Sequence, residues 1–263
     1  MQYYHIDSFT QEVFKGNPAG VCMLNVDAWP SDSWMLSIAS ENRHSETAFV
    51  LKKDGEFHIR WFSPLAEVYL CGHATLAAAY ALFFQENIEQ KTIVFHSSRG
   101  RLIVTRNGQL LTMDFPINPP RPVAASPLFK NCFDIPPLEV YQTESDFLFV
   151  YADEDDITNI GVHLDQIAKL PSEGVIITAP SEKYDFVSRC FCPQVGIDED
   201  PVTGSAHTIL VPYWHKRLQK NTFMAKQLSE RSGEIICRLQ GERVLLSGYA
   251  KLYLKGQIFA EPY

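Results

Sequence analysis

Short apolar runs, broken by glycine, proline and asparagine, occupy most of the chain, and two longer apolar blocks interrupt them. EFHIRWF (56–62) and YDFVSRCF (184–191) have the length and β-branched or aromatic content of strands, and each runs up to a proline. KTIVFHS (91–97) is a further strand, and GRLIVTRNGQLLTMDF (100–115) is a hairpin with Asn107-Gly108 as its tight turn. GEIICRLQGERVLLSG (233–248) and AKLYLKGQIFA (250–260) supply strands late in the chain. The two longer blocks, ATLAAAYALFFQ (74–85) and AHTILVPYWHKRL (206–218), are apolar almost all round, which predicts buried helices rather than surface ones. Pro212 lies in the second block and is expected in its opening turns, where a missing N–H costs least.

These elements repeat. RWFSP (Arg60–Pro64) returns as RCFCP (Arg189–Pro193), 129 residues on, and CGHA (Cys71–Ala74) returns as TGSA (Thr203–Ala206), 132 residues on. SSRGRLIVTRNGQLL (Ser97–Leu111) returns near Ser229–Leu246, with Gly100 matching Gly233 and Gly108 matching Gly241. Three matches in the same order, at about half the chain length, predict two similar halves in tandem. The expected fold class is α+β: two pseudo-symmetric halves, each a rolled, mainly antiparallel sheet around a central helix. The halves are read as residues 1–117 and 118–263, the last strand being free to pack on the first half, with the Pro-rich INPPRPVAASP (117–127) as the linker.

Composition narrows the classes of function. The 263 residues are 46% hydrophobic and carry a net charge of −8 with no basic stripe, so nucleic acid is not expected as a partner. No apolar run approaches the roughly 18 residues of a membrane helix, and the N-terminus does not read as a signal peptide, so no membrane partner and a cytoplasmic location are expected. The six cysteines include no CxxC pair. Cys190 and Cys192 share a strand face, and their spacing to other residues offers no recognisable ligand set, so no metal is expected.

The candidate chemistry lies at the starts of the two apolar helices. A helix N-terminus presents unpaired N–H groups and partial positive charge, and Gly72 and Gly204 let an anion approach the backbone closely. Two such entrances facing a shared cleft would hold a small anion from two sides. Taken singly, either glycine is equally a turn residue. By the same token Glu46 is a solvated carboxylate at a strand entrance, His73 a structural hydrogen bonder and Asp200 a helix cap.

The motifs DSFTQEVFKGNPAGV (7–21), RHSETAFV (43–50), FSPLAEVYLCGHATLAAA (62–79), DEDPVTGSAH (198–207) and SGYAKLYLKGQIF (247–259) together resemble the phenazine-biosynthesis PhzF-like family over essentially the whole chain. The resemblance implies the diaminopimelate epimerase fold, with an active site between the halves. It also implies an isomerase that needs no cofactor, metal or organic. The family's best-known reaction moves a proton between carbons of a cyclic dihydro-hydroxyanthranilate. The substrate implied is a small, carboxylate-bearing, cyclic molecule; a homodimer is compatible with this reading, and the oligomeric state stays open.

By the resemblance, the catalytic residues are Glu46, His73 and Asp200: Glu46 carries the proton, His73 lies by the substrate, and Asp200 binds an amino or hydroxyl group. Glu46 stands just ahead of the apolar TAFVL, where partial desolvation would raise its pKa toward a useful value. The substrate-binding residues implied are Asn17, Ser45, Cys71, Gly72, Thr203, Gly204 and Ser205. Related racemases and epimerases of this fold use two cysteines, one at each entrance. Here Cys71 is retained but the second position is Thr203, whose hydroxyl is far too weak an acid to replace a thiol. Single-carboxyl chemistry at Glu46 is therefore the leading expectation. An epimerase or racemase using Cys71 with Glu46, and a non-catalytic binder of small acids, are the alternatives. Glu173, in SEGVIIT (172–178), is a loose echo of Glu46.

Overall fold

The computed structural model describes residues 1–124 and 126–261. Ala125, inside the Pro-rich stretch, and the last two residues of the expected second half lie outside the described residues. The chain divides into two compact units, Met1–Asp114 with Ser247–Tyr263, and Phe115–Leu246.

In the first unit the strands Gln2–Ser8, Asn17–Leu24, Glu46–Lys53, Glu56–Phe62, Thr92–Ser97 and Gly100–Asn107 pair in sequence order. The pairings run antiparallel, parallel, antiparallel, parallel, antiparallel. In the second unit Glu139–Gln142, Asp146–Val150, Gly174–Ala179, Phe186–Phe191, Thr222–Gln227 and Gly233–Gln240 pair in order with the same succession of senses. This shared pattern is the structural content of the sequence repeat, and it gives the α+β class with the same succession of strands in each unit. A parallel pair cannot be joined by a tight turn and needs a crossover. The second crossover of each unit is its buried helix, Gly72–Phe84 in the first and Gly204–Leu218 in the second. The C-terminal strand Ala250–Gln257 returns to pair antiparallel with Gln2–Ser8.

Arginines at matching places brace the loops that lead to the helices. Arg60 donates to both carboxylate oxygens of Glu67 at 2.7 Å. Arg189 does the same to Glu199, at 2.7 and 2.9 Å. A bidentate guanidinium–carboxylate pair fixes orientation as well as distance. Below the second helix, Trp214 stacks on Phe186 with ring centroids 5.6 Å apart and donates its Nε1–H to Thr178 Oγ1. In the first unit, Trp34, Met35 and Ile38 of the helix Asp32–Asn42 pack against Phe49, Leu51 and Phe62. Among the described residues no helix is long and apolar enough to cross a membrane.

Two sequence expectations need correction. Pro212 is the ninth residue of Gly204–Leu218, in the helix interior and not its opening turns, because the helix begins at Gly204 and continues to Leu218. The carbonyl of Thr208, four residues earlier, is the one a proline leaves without an intrahelical donor. Here it accepts the N–H of Asn118 at 3.0 Å, which offsets the loss. That bond also shows that the Pro-rich stretch is no free tether. Asn118 is held by the helix, Ile117 donates to Glu242, and Arg121–Pro122 pairs with Tyr141–Gln142.

Gly16 positions the strand that starts at Asn17. It has φ +67°, and a Cβ there would stand 2.1 Å from the Ser8 carbonyl oxygen. Gly16→Ala should therefore destabilise the protein by at least about 2 kcal/mol. Gly55→Ala, also at positive φ but with open space around it, should cost less. Urea midpoints for the two variants check this; equal midpoints would refute the steric account.

Candidate active site

Glu46 opens the strand Glu46–Lys53, paired in register with Ala19 of the neighbouring parallel strand, and its carboxylate is buried. His73 is the second residue of the buried helix. Its Nε2 lies 3.3 Å from Glu46 Oε2 and 3.3 Å from Ser45 Oγ, and its Nδ1 lies 3.5 Å from Cys71 Sγ. One imidazole thus bridges a carboxylate and a thiol, with both partners buried. The backbone beneath is fixed from two sides. Ser8 Oγ donates to the His73 carbonyl at 2.7 Å, and Thr75 Oγ1 donates to the Cys71 carbonyl at 2.6 Å. Asn17 is buried opposite Ser8 in the strand register. The N-cap of this helix, Cys71, makes no side-chain cap hydrogen bond, and Gly72 follows.

The second entrance has the same frame and different contents. Thr203 is the N-cap, again without a side-chain cap, followed by buried Gly204 and exposed Ser205. Asp200 is buried three residues before the N-cap. Its Oδ2 accepts the Thr203 hydroxyl at 2.5 Å. Gln227 holds the whole turn: its Nε2 donates to the Asp200 carbonyl at 2.6 Å and to Thr203 Oγ1 at 3.1 Å, and its Oε1 accepts the Thr203 N–H at 2.9 Å. His207 takes the place of Thr75. Its Nδ1 lies 2.8 Å from the Thr203 carbonyl, and burial pushes its pKa from 6.5 down to about 4, so the ring is neutral.

The register also decides the echo of Glu46. Thr47 faces Phe62 in the first unit, and Val175 faces Phe191 in the second. Gly174 therefore stands where Glu46 stands, and Glu173 is exposed one residue earlier. A Cβ on Gly174 would meet Cys192 Sγ at 2.8 Å, so the thiol fills the space a side chain would need. Cys190 and Cys192 do share a face, with sulfurs 3.7 Å apart. Contact with Cys192, then burial, raises the Cys190 pKa well above the ordinary thiol value, which keeps that thiol protonated.

Of the residues expected at the site, the first unit brings together Ser45, Glu46, Cys71 and His73, and the second brings together Asp200 and Thr203. Ser8 and Gln227 were not expected. Both signals were in the chain. Gln227 follows Phe223 and Ala225 on the inward face of TFMAKQ, and Ser8 follows Tyr4 and Ile6 in the same way. A polar residue in the inward phase of a strand is held by something.

The family model described as phenazine biosynthesis-like protein matches residues 6–256. An uncharacterized isomerase of Pseudomonas aeruginosa is 45% identical over 255 residues, 97% of each chain. A PhzF-family phenazine biosynthesis protein of Enterococcus faecalis is 41% identical with a TM-score of 0.95, covering 98% of this chain and 99% of that one. A PhzC/PhzF protein of Clostridium difficile is 44% identical with a TM-score of 0.93, covering 99% and 100%. Fold alone is shared with a probable proline racemase of Agrobacterium radiobacter, at 10% identity and a TM-score of 0.65 over 100% of this chain and 94% of that one. Relatives that are 45% and 43% identical over nearly the whole chain carry the name isomerase, and they set the class as an isomerase. The chain belongs to the phenazine biosynthesis-like (PhzF) family.

Proposed function

We propose that the protein moves a proton between two carbons of a small, carboxylate-bearing, cyclic substrate, with Glu46 as the group that takes and returns it and with no metal or organic cofactor. The observation that carries this reading is the buried Glu46 carboxylate 3.3 Å from His73 Nε2 at the start of a helix. A general base has to lie within reach of the proton it abstracts and in an environment poised for transfer. Burial against an imidazole supplies that environment: His73 orients the carboxylate, and Ser45 Oγ offers His73 Nε2 a further polar contact. Each helix start, at Gly72 and at Gly204, offers backbone N–H groups suited to a carboxylate. Asp200, with its oxygen fixed by Thr203, is suited to an amino or hydroxyl group.

The experiment is turnover in deuterium oxide against a panel of small cyclic and acyclic carboxylic acids. Deuterium should enter the product at carbon. A ligand that binds without carbon exchange or turnover would instead make the protein a small-acid binder. Thr203→Ala should reduce turnover less than tenfold, because in this scheme its hydroxyl carries no substrate proton. A second reading, a racemase or epimerase in which Cys71 exchanges the proton, is favoured by the 3.5 Å approach of Cys71 Sγ to His73 Nδ1. Loss of carbon exchange in Cys71→Ser with retention in Glu46→Gln would select it.

A further inference from the structure

The groups that serve proton transfer also make a chelate. One donor atom each from Glu46, Cys71 and His73 lies within 4.8 Å of the other two, all three residues are buried, and no second such trio occurs among the described residues. Sequence spacing hid this set, because Glu46 is 25 residues from Cys71 and only the fold joins them. We infer that this trio binds a borderline-soft divalent cation, zinc being the best match, and that the bound ion blocks the reaction. The blocking half rests on the role proposed for Glu46; the binding half does not.

Three features point to zinc. Thiolate, imidazole and carboxylate are all ordinary zinc donors, and three protein ligands leave a fourth position for water or a ligand carboxylate. Magnesium and calcium call for oxygen donors throughout, which the thiol and imidazole do not provide. Charge is the second feature. A thiolate and a carboxylate together cancel a divalent charge, so the loaded site is neutral where a net charge would be costly to bury. Binding releases the thiol proton to solvent. Geometry is the third. Zinc–ligand bonds of about 2.0–2.3 Å put tetrahedral donors roughly 3.3–3.8 Å apart. The Cys71–His73 contact at 3.5 Å and the Glu46–His73 contact at 3.3 Å are near that range. These contacts use opposite ring nitrogens, and an ion takes only one. With the ion on Nδ1 beside the thiol, the Glu46 carboxylate turns in toward it, and Nε2–H keeps Ser45 Oγ, 3.3 Å away, as its acceptor. A hydrogen-bonded far nitrogen is the usual companion of a metal-bound histidine.

Cobalt(II), added to the full-length protein stripped with chelator and kept reduced, reads the site directly. One equivalent should give a near-ultraviolet thiolate-to-cobalt band and the visible bands of a four-coordinate ion. Cys71→Ala should abolish the near-ultraviolet band, and the double variant Cys190→Ala, Cys192→Ala should keep it. Zinc affinity, read by competition with a chromophoric chelator, should fall at least about tenfold in His73→Asn and in Glu46→Gln. Circular dichroism shows whether each variant is folded, and the two affinity variants test the site independently if Cys71→Ala is not. No stoichiometric band in the wild type, or a band that survives in folded Cys71→Ala, overturns the site. A bound zinc ion with full turnover leaves the site standing and removes Glu46 from the chemistry. A missing band with Glu46-dependent turnover removes the metal site alone.

Discussion

Glu46→Gln is expected to lower turnover by ~10²–10⁴-fold, the range general acid–base groups contribute, and to lower deuterium incorporation at carbon with it. Glutamine keeps the size of the side chain and a hydrogen-bonding oxygen toward His73 Nε2, so the strand entrance and the helix start should not move. What it loses is the capacity to hold the transferred proton. Binding of a substrate-like acid should change little, because the helix N–H groups proposed to hold it are untouched. KM near the wild-type value with a collapsed kcat is the expected signature of an interaction made in the transition state. His73→Asn should give a smaller fall in kcat together with a changed pH profile, because it removes the group that orients Glu46 without removing the proton carrier. Turnover by Glu46→Gln within threefold of the wild type would end the carboxylate mechanism and turn attention to Cys71.

The parts of this molecule that were readable beforehand are those where local chemistry and tertiary context agree. EFHIRWF is a strand over Glu56–Phe62, Asn107-Gly108 turns a hairpin with Gly108 at φ +61°, and both apolar blocks are buried helices. The helix Asp32–Asn42 escaped notice although Ser31 caps it, because its apolar face is carried by only Trp34, Met35, Ile38 and Ala39 among polar neighbours. The short helices Glu154–Asn159 and Leu164–Ile167 hold fewer than two turns each and have no period to detect. At the site, motif spacing exposed Glu46, Cys71, His73, Asp200 and Thr203 as separate candidates. It could not show that one imidazole touches both Glu46 and Cys71, since that contact depends on the strand register as well as the helix start. Nor could it show Gln227, whose place beside Asp200 and Thr203 comes from the parallel pairing of Thr222–Gln227 with Phe186–Phe191.

His207 should give the protein an acid-sensitive stability of its own. The folded chain buries the ring completely and lowers its pKa from 6.5 to about 4; the bond to the Thr203 carbonyl opposes that shift and is the weaker effect. Above pH 6.5 the histidine is neutral in both folded and unfolded chains and adds no pH dependence. Between pH 6.5 and 4 the unfolded chain binds a proton that the folded chain refuses, so stability falls as the pH falls. Below about pH 4 both states are protonated and the loss stops growing. The full loss is about 3 kcal/mol at 1.36 kcal/mol per unit. His207→Gln keeps a donor for the Thr203 carbonyl and carries no titrating group. It should be less stable than the wild type at pH 7.5, where its looser packing against Phe186 is the only difference. Between pH 7.5 and 4 it should lose about 3 kcal/mol less than the wild type, because every other side chain is common to both proteins. Urea unfolding at half-unit steps of pH measures both curves. If they run parallel through that window, His207 already holds its proton in the folded state, and the account of a buried neutral ring at the second helix start is wrong.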